Sequence, residues 1–278
     1  AFALSTPFFF IDFSTAWRNI LWEARPEHPA FESLSPIGNF VWYVTQAIPV
    51  VISPWQAGLV IVAIILLWYK PQLKRFLLLI FAFVFLTAIS QSGLHWDRWL
   101  FPIMPILALL AAFTLTTASR WLRNRFGWAS KFHYVLIVFI TLIISYPHIA
   151  QISQISHYQT RPDTRVLAGI WLLEHVNPDS YVVYEEYSIP AGQGNFKGKR
   201  YWSVADSGYS LEDAYRGGVD FIVVSSFIYD RYLSDAQRFP EETNFYVELF
   251  KQAELAHEFK PSNNERGPTI RIYRLFSS

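Results

Sequence analysis

The sequence predicts an α-helical integral membrane region of about four transmembrane helices, followed by a small extracytoplasmic α/β domain. Three observations predict it. Hydrophobic residues make up 52% of the chain and charged residues only 16%, where a soluble domain carries about 25% charged. The apolar residues gather in four runs ahead of Ala150, and beyond Ala150 the composition turns to that of a soluble domain. The chain divides accordingly into 1–53, 54–150 and 151–278.

The first segment begins FALSTPFFFIDF, which reads as the end of a helix already in progress. A missing upstream portion is the expectation, with a mature terminus left by signal cleavage as the alternative. Ser14 and Thr15 are placed to cap a short helix carrying Phe13, Trp17, Ile20, Leu21 and Ala24 on one face, with Arg18 and Glu23 opposite. That pattern suits a helix lying in the membrane interface. Glu23–Ser53, rich in Pro, His and aromatics, reads as an ordered external loop.

A helix needs about 20 apolar residues to cross the hydrocarbon core. Pro54–Tyr69 is the first run, with Ser53 as N-cap and Pro54 at the first helical position. Ala47–Ile52 extends it through a proline kink. Phe76–Ser90, Trp99 to about Ala118 and Tyr134 to about Ala150 follow. A buried soluble helix is the alternative for any one run, but not for four in succession. Lys70, Lys74 and Arg75, then Arg120, Arg123, Arg125 and Lys131, fall in alternate short loops. Basic loops stay cytoplasmic, which turns Gln91–Arg98, the N-terminal stretch and everything after Ala150 outward. Trp68, Tyr69, Trp96, Trp99, Trp121 and Tyr134 mark the span ends as an aromatic belt does.

In the last segment, Asp163–Val176 carries a helical face of Val166, Leu167, Ile170, Leu173 and Val176. Tyr181–Tyr184 is a strand, Gly192–Lys199 a loop and Tyr201–Val204 a short strand. Ser210 and Asp213 open a helix as a capping box, closed by Gly217 and Gly218. Val219–Ser225 is a strand buried on both faces. A helix over Glu241–Ala253 and strands near Ala256–Lys260 and Thr269–Leu275 complete a three-layer α/β unit with an antiparallel edge pair.

Several chemistries are excluded. A net charge of +1 implies no nucleic-acid partner. The absence of cysteine removes disulfides and thiolate zinc sites. No helix opens on a phosphate-binding glycine fingerprint, and no His-rich metal spacing or nucleophile elbow occurs. The densest polar group is His95-Trp96-Asp97-Arg98, at the mouth of the third span. Arg98 is placed either to bind a phosphate by a bidentate contact or to snorkel into headgroups as an anchor. His95 and Asp97 read as loop residues that orient it. Glu185 and Glu186 end a strand ahead of a Pro/Gly loop, as functional carboxylates or as a solvated strand end. Asp12 is a helix cap or an external-loop ligand. Lys197, Lys199 and Arg200 form a basic patch, a solvated loop or a face for anionic headgroups.

The segment Arg98-Trp99-Leu100-Phe101-Pro102-Ile103-Met104-Pro105, continued by Ile106–Ala112, resembles the Arg-Tyr-x-x-Pro-x-x-Pro helix of GT-C membrane glycosyltransferases, with Trp99 in place of the usual Tyr. The similar branch holds protein O-mannosyltransferases and the bacterial aminoarabinose and polyprenyl-sugar transferases. Thr6-Pro7 through Asp12, Asp163-Thr164-Arg165 with Ala168 and Trp171, Tyr229-Asp230-Arg231-Tyr232 and Gly267-Pro268 also resemble that branch. The resemblance implies transfer of a sugar from a polyprenyl-phosphate donor, with inversion, at the outer face of the bacterial plasma membrane. Its partners are membrane lipid, the lipid-linked sugar and an acceptor that is glycan, lipid or protein; a divalent metal is left open. It makes Arg98 the donor-phosphate residue, His95 its neighbour, and Asp97, Asp12, Glu185 and Glu186 supporting candidates. The family's catalytic carboxylate lies in a first external loop with no counterpart here, so this chain is expected to be the C-terminal part of a transferase and inactive alone. The competing expectation is a non-catalytic membrane subunit or sensor whose external domain binds a ligand or partner.

Overall fold

The computed structural model describes residues 7–23, 29, 33–69, 73–127, 130–190, 192–193 and 195–275. Thr6, Ala24 and Lys70, on which parts of the reading above rest, lie outside them, as do the side chains of Glu23, Lys74 and Lys131. The chain is mostly helical with a small mixed sheet, and it divides into two compact units, Ala1–Ile152 and Ser153–Ser278.

The first unit opens with α1 (Pro7–Ile11) and α2 (Phe13–Glu23). Asp12, not Ser14 or Thr15, separates and caps them: its carboxylate accepts from the Thr15 backbone N–H at 3.3 Å and the Ser14 hydroxyl at 3.2 Å. The short side chain at the break reaches the first orphan N–H groups of α2, leaving Ser14 and Thr15 inside the helix. Phe13, Trp17, Ile20 and Leu21 on the apolar face of α2 are all about half exposed, the state of a helix made for an interface.

The expected loop before the first span is instead largely helical. The residues α3 (Pro36–Trp42), a π turn (Tyr43–Ala47) and α4 (Ile48–Ile52) run as one helix, which Ser35 caps by accepting from the Gly38 N–H. Its apolar residues are interrupted by Asn39, Thr45 and Gln46, which hid the periodicity. The proline kink expected at Pro54 is a far sharper break. Helix α5 (Pro54–Tyr69) turns away from Pro36–Ile52 by 120°. Pro54 supplies no N–H and forces its predecessor out of the helical region. Ser53 accordingly takes φ 66°, ψ 151°, while its Oγ still accepts from the Gln56 N–H at 3.3 Å.

The remaining helices are α6 (Leu73–Ile89), a 3-10 turn (Asp97–Ile103) leading into α7 (Met104–Phe126), and α8 (Ser130–Gln159). Asp97–Phe126 and Tyr134–Gln159 are each long and apolar enough to cross a membrane; Pro54–Tyr69 reaches that length only joined to Pro36–Ile52 as a broken span. Helix α6, with 17 residues, is about 25 Å long, short of the ~30 Å hydrocarbon core. Val60, Ala63 and Leu67 of α5 and Leu107, Leu110 and Ala111 of α7 share one buried cluster. The Thr114 hydroxyl donates across to the Leu59 carbonyl at 2.7 Å, tying α7 to α5. Helix α8 extends nine residues beyond the expected Ala150, to Gln159, and none of its apolar window is buried.

The second unit contains α9 (Thr164–His175), β1 (Tyr181–Glu185), β2 (Lys197–Tyr201), a 3-10 turn (Ala205–Ser207), α10 (Leu211–Arg216), β3 (Phe221–Ser225), α11 (Ser226–Leu233), α12 (Pro240–Gln252), β4 (Glu254–Phe259) and β5 (Ile270–Arg274). The sheet order is β2-β1-β3-β5-β4, parallel across the first three and antiparallel thereafter. Alternation along the strands sorts the core into two. Val183, Ile222, Val224 and Tyr273 pack with α10–α12, while Val182, Val223, Ile270 and Ile272 pack with α9. This is the three-layer arrangement.

Three expectations fail here. Strand β2 (Lys197–Tyr201) begins inside the expected Gly192–Lys199 loop and ends at Tyr201, where the expected Tyr201–Val204 strand begins, because an exposed edge strand has no apolar alternation to show. Helix α11 has no counterpart among the expected elements; it follows β3 without a loop, capped by the Ser225 side chain. The buried face of α9 is Thr164, Ala168, Gly169 and Leu172, whereas Val166, Ile170 and Leu173 are exposed. Small residues let α9 approach its neighbours closely: a Cβ on Gly169 would lie 2.6 Å from the Gln193 side chain.

A non-glycine residue at the φ/ψ of Ser53 costs about 1–3 kcal/mol, and losing the hydroxyl cap to Gly costs only a few tenths. Ser53→Gly is therefore expected to raise the thermal unfolding temperature in detergent, and Ser53→Ala, which keeps the strain and loses the cap, to lower it. A lower melting temperature for Ser53→Gly would show that the conformation is unstrained.

Candidate functional site

The loop carrying His95 and Trp96 is clamped from the Pro36–Ile52 helix. Asn39, fully buried, donates its amide N–H to the Ser92 carbonyl; the Trp96 backbone N–H donates to the Tyr43 hydroxyl at 3.2 Å. The Leu34 N–H reaches the Gly93 carbonyl at 3.3 Å. The π turn beginning at Tyr43 alters the helical phase just there, a device common at functional sites.

From this clamped loop the chain enters the 3-10 turn at Asp97, where Pro102 and then Pro105 each withhold an N–H and keep the turn out of α-helical register. Arg98 places its guanidinium 4.6 Å from the Trp96 ring centroid. It lines a groove of about 550 Å³ whose other walls are Phe85, Ala88, Ile89, Ser92, Trp99, Phe101 and Pro102. Arg98 is the one charged group among these residues. His95 tilts against Trp42, ring centroids 4.3 Å apart. Burial pushes its pKa below the ordinary imidazole value and outweighs the opposing charge of Asp97, so at neutral pH the positive charge belongs to Arg98. An apolar trough with a guanidinium at its edge is matched to an amphiphile with a long chain and an anionic head.

Glu185 overturns the expectation of a solvated strand end. It is fully buried at the end of β1. Its Oε2 accepts from the Ser225 N–H at 2.8 Å, and its Oε1 from the Tyr246 hydroxyl at 2.5 Å and the Val204 N–H at 3.4 Å. Tyr246 and Ser203 lie hydroxyl to hydroxyl at 3.0 Å. Desolvation dominates and pushes Glu185 up to about 7, against three hydrogen bonds that favour the carboxylate. Glu186, the next residue, diverges to an ion pair with Arg200 on β2.

The parallel strands bring together residues that the sequence reading did not join. Tyr187 follows β1, Trp202 follows β2, and Phe227 and Arg231 belong to α11, which follows β3. The Tyr187 and Phe227 rings meet edge to face at 6.2 Å. Arg231 lies 5.9 Å from the Tyr187 ring centroid and 5.8 Å from that of Trp202. The only signal available beforehand was positional: each residue closely follows a strand.

The other candidates have structural roles. Asp12 is the α2 cap described above, and the hydrogen bond from Thr15 leads the causes holding its carboxyl below the usual range. Lys197 pairs with the exposed Asp179 at 3.0 Å, and Lys199 lies 4.7 Å from the Tyr201 ring centroid; with Arg200 they form an edge strand, not a loop. Such charges deter edge-to-edge pairing. Asp163-Thr164-Arg165 and Gly267-Pro268 meet in a clasp. Asp163 accepts from Arg165 Nε at 2.8 Å and Nη2 at 2.7 Å, and the Thr164 hydroxyl donates to the Pro268 carbonyl at 2.6 Å. Gly267 takes φ 110°, and a Cβ there would sit 2.5 Å from the Thr164 hydroxyl. No group of three or more metal-ligating side chains occurs among the described residues.

The chain matches no family model, and neither a curated protein nor a solved structure matches it.

Glu185 titrates near 4.5 in the open chain and about 7 in the folded one. The folded state therefore holds its proton where the unfolded state has released it. The contribution of Glu185 to stability is fully present below pH 4.5 and falls as pH rises through 7, by roughly 3 kcal/mol over the window. Hydrogen exchange of the β3 amides, corrected for intrinsic rate, should follow this decline in the wild type and lose it in Glu185→Gln. Equal pH dependence in both proteins contradicts the assignment. Gly267→Ala, strained and crowded at once, is expected to cost about 1–3 kcal/mol, read as a lower melting temperature; an unchanged melting temperature would mean that the clasp yields freely.

Proposed function

We propose that this chain takes part in glycosyl transfer at a membrane, supplying the donor-phosphate side of a site that uses a polyprenyl-phosphate sugar. The observation that carries the reading is the pairing of Arg98 with the apolar groove at the start of the Asp97–Phe126 helix. A polyprenyl chain fits the aromatic and aliphatic wall, and the phosphodiester meets the guanidinium. When the acceptor hydroxyl attacks the anomeric carbon, the bond to the donor phosphate breaks and negative charge gathers on the departing phosphate. A fixed guanidinium stabilises that charge more than the ground state, which is the condition for catalysis. Tyr43 and Asn39 serve by holding the loop from which Arg98 projects. The general base that takes the acceptor proton is not assigned to any described residue.

On this reading the four apolar segments Pro54–Tyr69, Leu73–Ile89, Asp97–Phe126 and Tyr134–Gln159 lie in the bacterial plasma membrane. Their basic ends face the cytoplasm by the positive-inside rule. The second unit then lies on the outer side, where the acceptor is met. The competing reading, a non-catalytic subunit or sensor, needs no lipid-phosphate site at Arg98.

Loss of one charge-assisted contact to a phosphate costs about 1.5–3 kcal/mol. Arg98→Ala is therefore expected to weaken polyprenyl-phosphate binding by roughly 10- to 100-fold, with Arg98→Lys intermediate because it keeps the charge and loses the bidentate fork. Binding measured in detergent by calorimetry decides it. Wild-type affinity in Arg98→Ala removes Arg98 from the site and returns it to the role of an interfacial anchor.

A further inference from the structure

A second groove with one cation lies toward the other end of α6. Arg75, in the first turn of α6, reaches across to α7 and lays its guanidinium 4.0 Å from the Phe113 ring centroid. It borders a groove of about 270 Å³ whose walls include Leu78 of α6 and Leu109, Ala112, Phe113 and Thr116 of α7. Arg75 is the one charged group among the lining residues, it is half-buried, and the Phe113 ring is its one partner among the described residues. A guanidinium resting on a ring face keeps its in-plane N–H groups for acceptors.

The sequence explains why no carboxylate meets this cation. Between Glu32 and Asp163 the chain holds a single acidic residue, Asp97. Asp97 stands sixteen residues before Phe113, roughly 24 Å along the helix axis. A cation among apolar walls within a span is costly until an anion meets it. Helix length brings that anion within reach. With 17 residues, α6 is shorter than the hydrocarbon core, and a bilayer thins beside a short span. Headgroups beside the start of α6 are thus drawn inward to the level of Arg75. On α7 the helical period carries the row Leu109, Ala112 and Thr116 on to Arg120 and Arg123, so further cations continue the row beyond the groove.

We propose that the groove between the start of α6 and α7 is a binding site for an anionic phospholipid. Arg75 takes the phosphate through its N–H edge, and Leu78, Leu109 and Phe113 line the upper part of one acyl chain. Basic pockets between membrane helices select anionic headgroups in this way. The charge and the walls together define the ligand. A zwitterionic phospholipid brings its own ammonium group and leaves Arg75 uncompensated, while a soluble phosphate leaves the apolar walls uncovered. The inference rests on these helices lying in a membrane, and not on glycosyl transfer or on the Arg98 groove.

The test is titration of the whole chain in detergent with phosphatidylglycerol, phosphatidylcholine of the same acyl chains and glycerol 3-phosphate, with bound ligand counted by native mass spectrometry. Every titration is run on the wild type and on Arg98→Ala, so lipid held at the Arg98 groove is counted separately and the two sites stand or fall independently. In Arg98→Ala, phosphatidylglycerol is expected to fill one site roughly 10-fold or more tighter than phosphatidylcholine, and glycerol 3-phosphate to show no saturable binding. Arg75→Gln, added to Arg98→Ala, should weaken phosphatidylglycerol by a similar factor, and Arg75→Lys by less. Ala112→Phe fills the groove from an exposed position; it should weaken binding as far and keep the lipid-free melting temperature, which separates lost binding from lost fold. Arg120→Gln removes one exposed charge nearby and should cost much less. Absence of saturable phosphatidylglycerol binding, undiminished affinity in Arg75→Gln or in Ala112→Phe, or an equal loss in Arg120→Gln overturns the site. Equal affinity for phosphatidylcholine overturns the charge contact, and equal affinity for glycerol 3-phosphate overturns the role of the walls.

Discussion

The second unit turns on one buried carboxyl. Glu185 ends β1, receives the N–H that ends β3, and meets a hydroxyl from α12 and an N–H from the turn after β2. An unpaired carboxylate at that depth would cost several kcal/mol; satisfied from several elements, it fixes their relative positions instead. Without it the carboxyl ends of the parallel strands would have no common floor. The hydroxyl chain through Tyr246 and Ser203 can run in either direction. Ionised Glu185 accepts from Tyr246, and the protonated carboxyl donates to it, so the network stays satisfied in both states.

The first unit depends on polar contacts of another kind. Its helices expose apolar side chains on most sides, as solvation by lipid allows, and α8 buries nothing along its apolar window. Apolar burial joins α5 and α7 through one cluster and leaves the finer placement to directional contacts. Position is set by few hydrogen bonds and by the prolines: Thr114 to Leu59 between helices, Asn39 and Tyr43 onto the Arg98 loop, and the 120° break ahead of Pro54.

The two arginine–aromatic clusters follow the same logic of construction. In each, a cation is placed against aromatic rings by a segment whose backbone is held by a buried polar side chain. For Arg98 the holding groups are Asn39 and Tyr43; for Arg231 they are Glu185 and Ser225. A long, flexible arginine loses less entropy on binding when its stem and base are already fixed.

The amino-acid sequence by itself determined the apolar segments, the change of composition near Ala150, a buried strand within Val219–Ser225 and the capping box at Ser210. These are local: each is written in the period or end-residues of a single segment. It also marked Arg98, because a cation at the border of an apolar run is visible without partners. Only the tertiary structure decided the rest. The Pro36–Ile52 helix hid behind scattered polar residues, one of which, Asn39, is buried by a loop 53 positions away. Glu185 looked solvated because burial comes from α12 and β3, not from its neighbours in sequence. The strand-end cluster of Tyr187, Trp202, Phe227 and Arg231 had no local signature, since parallel pairing alone aligns the ends of three distant strands.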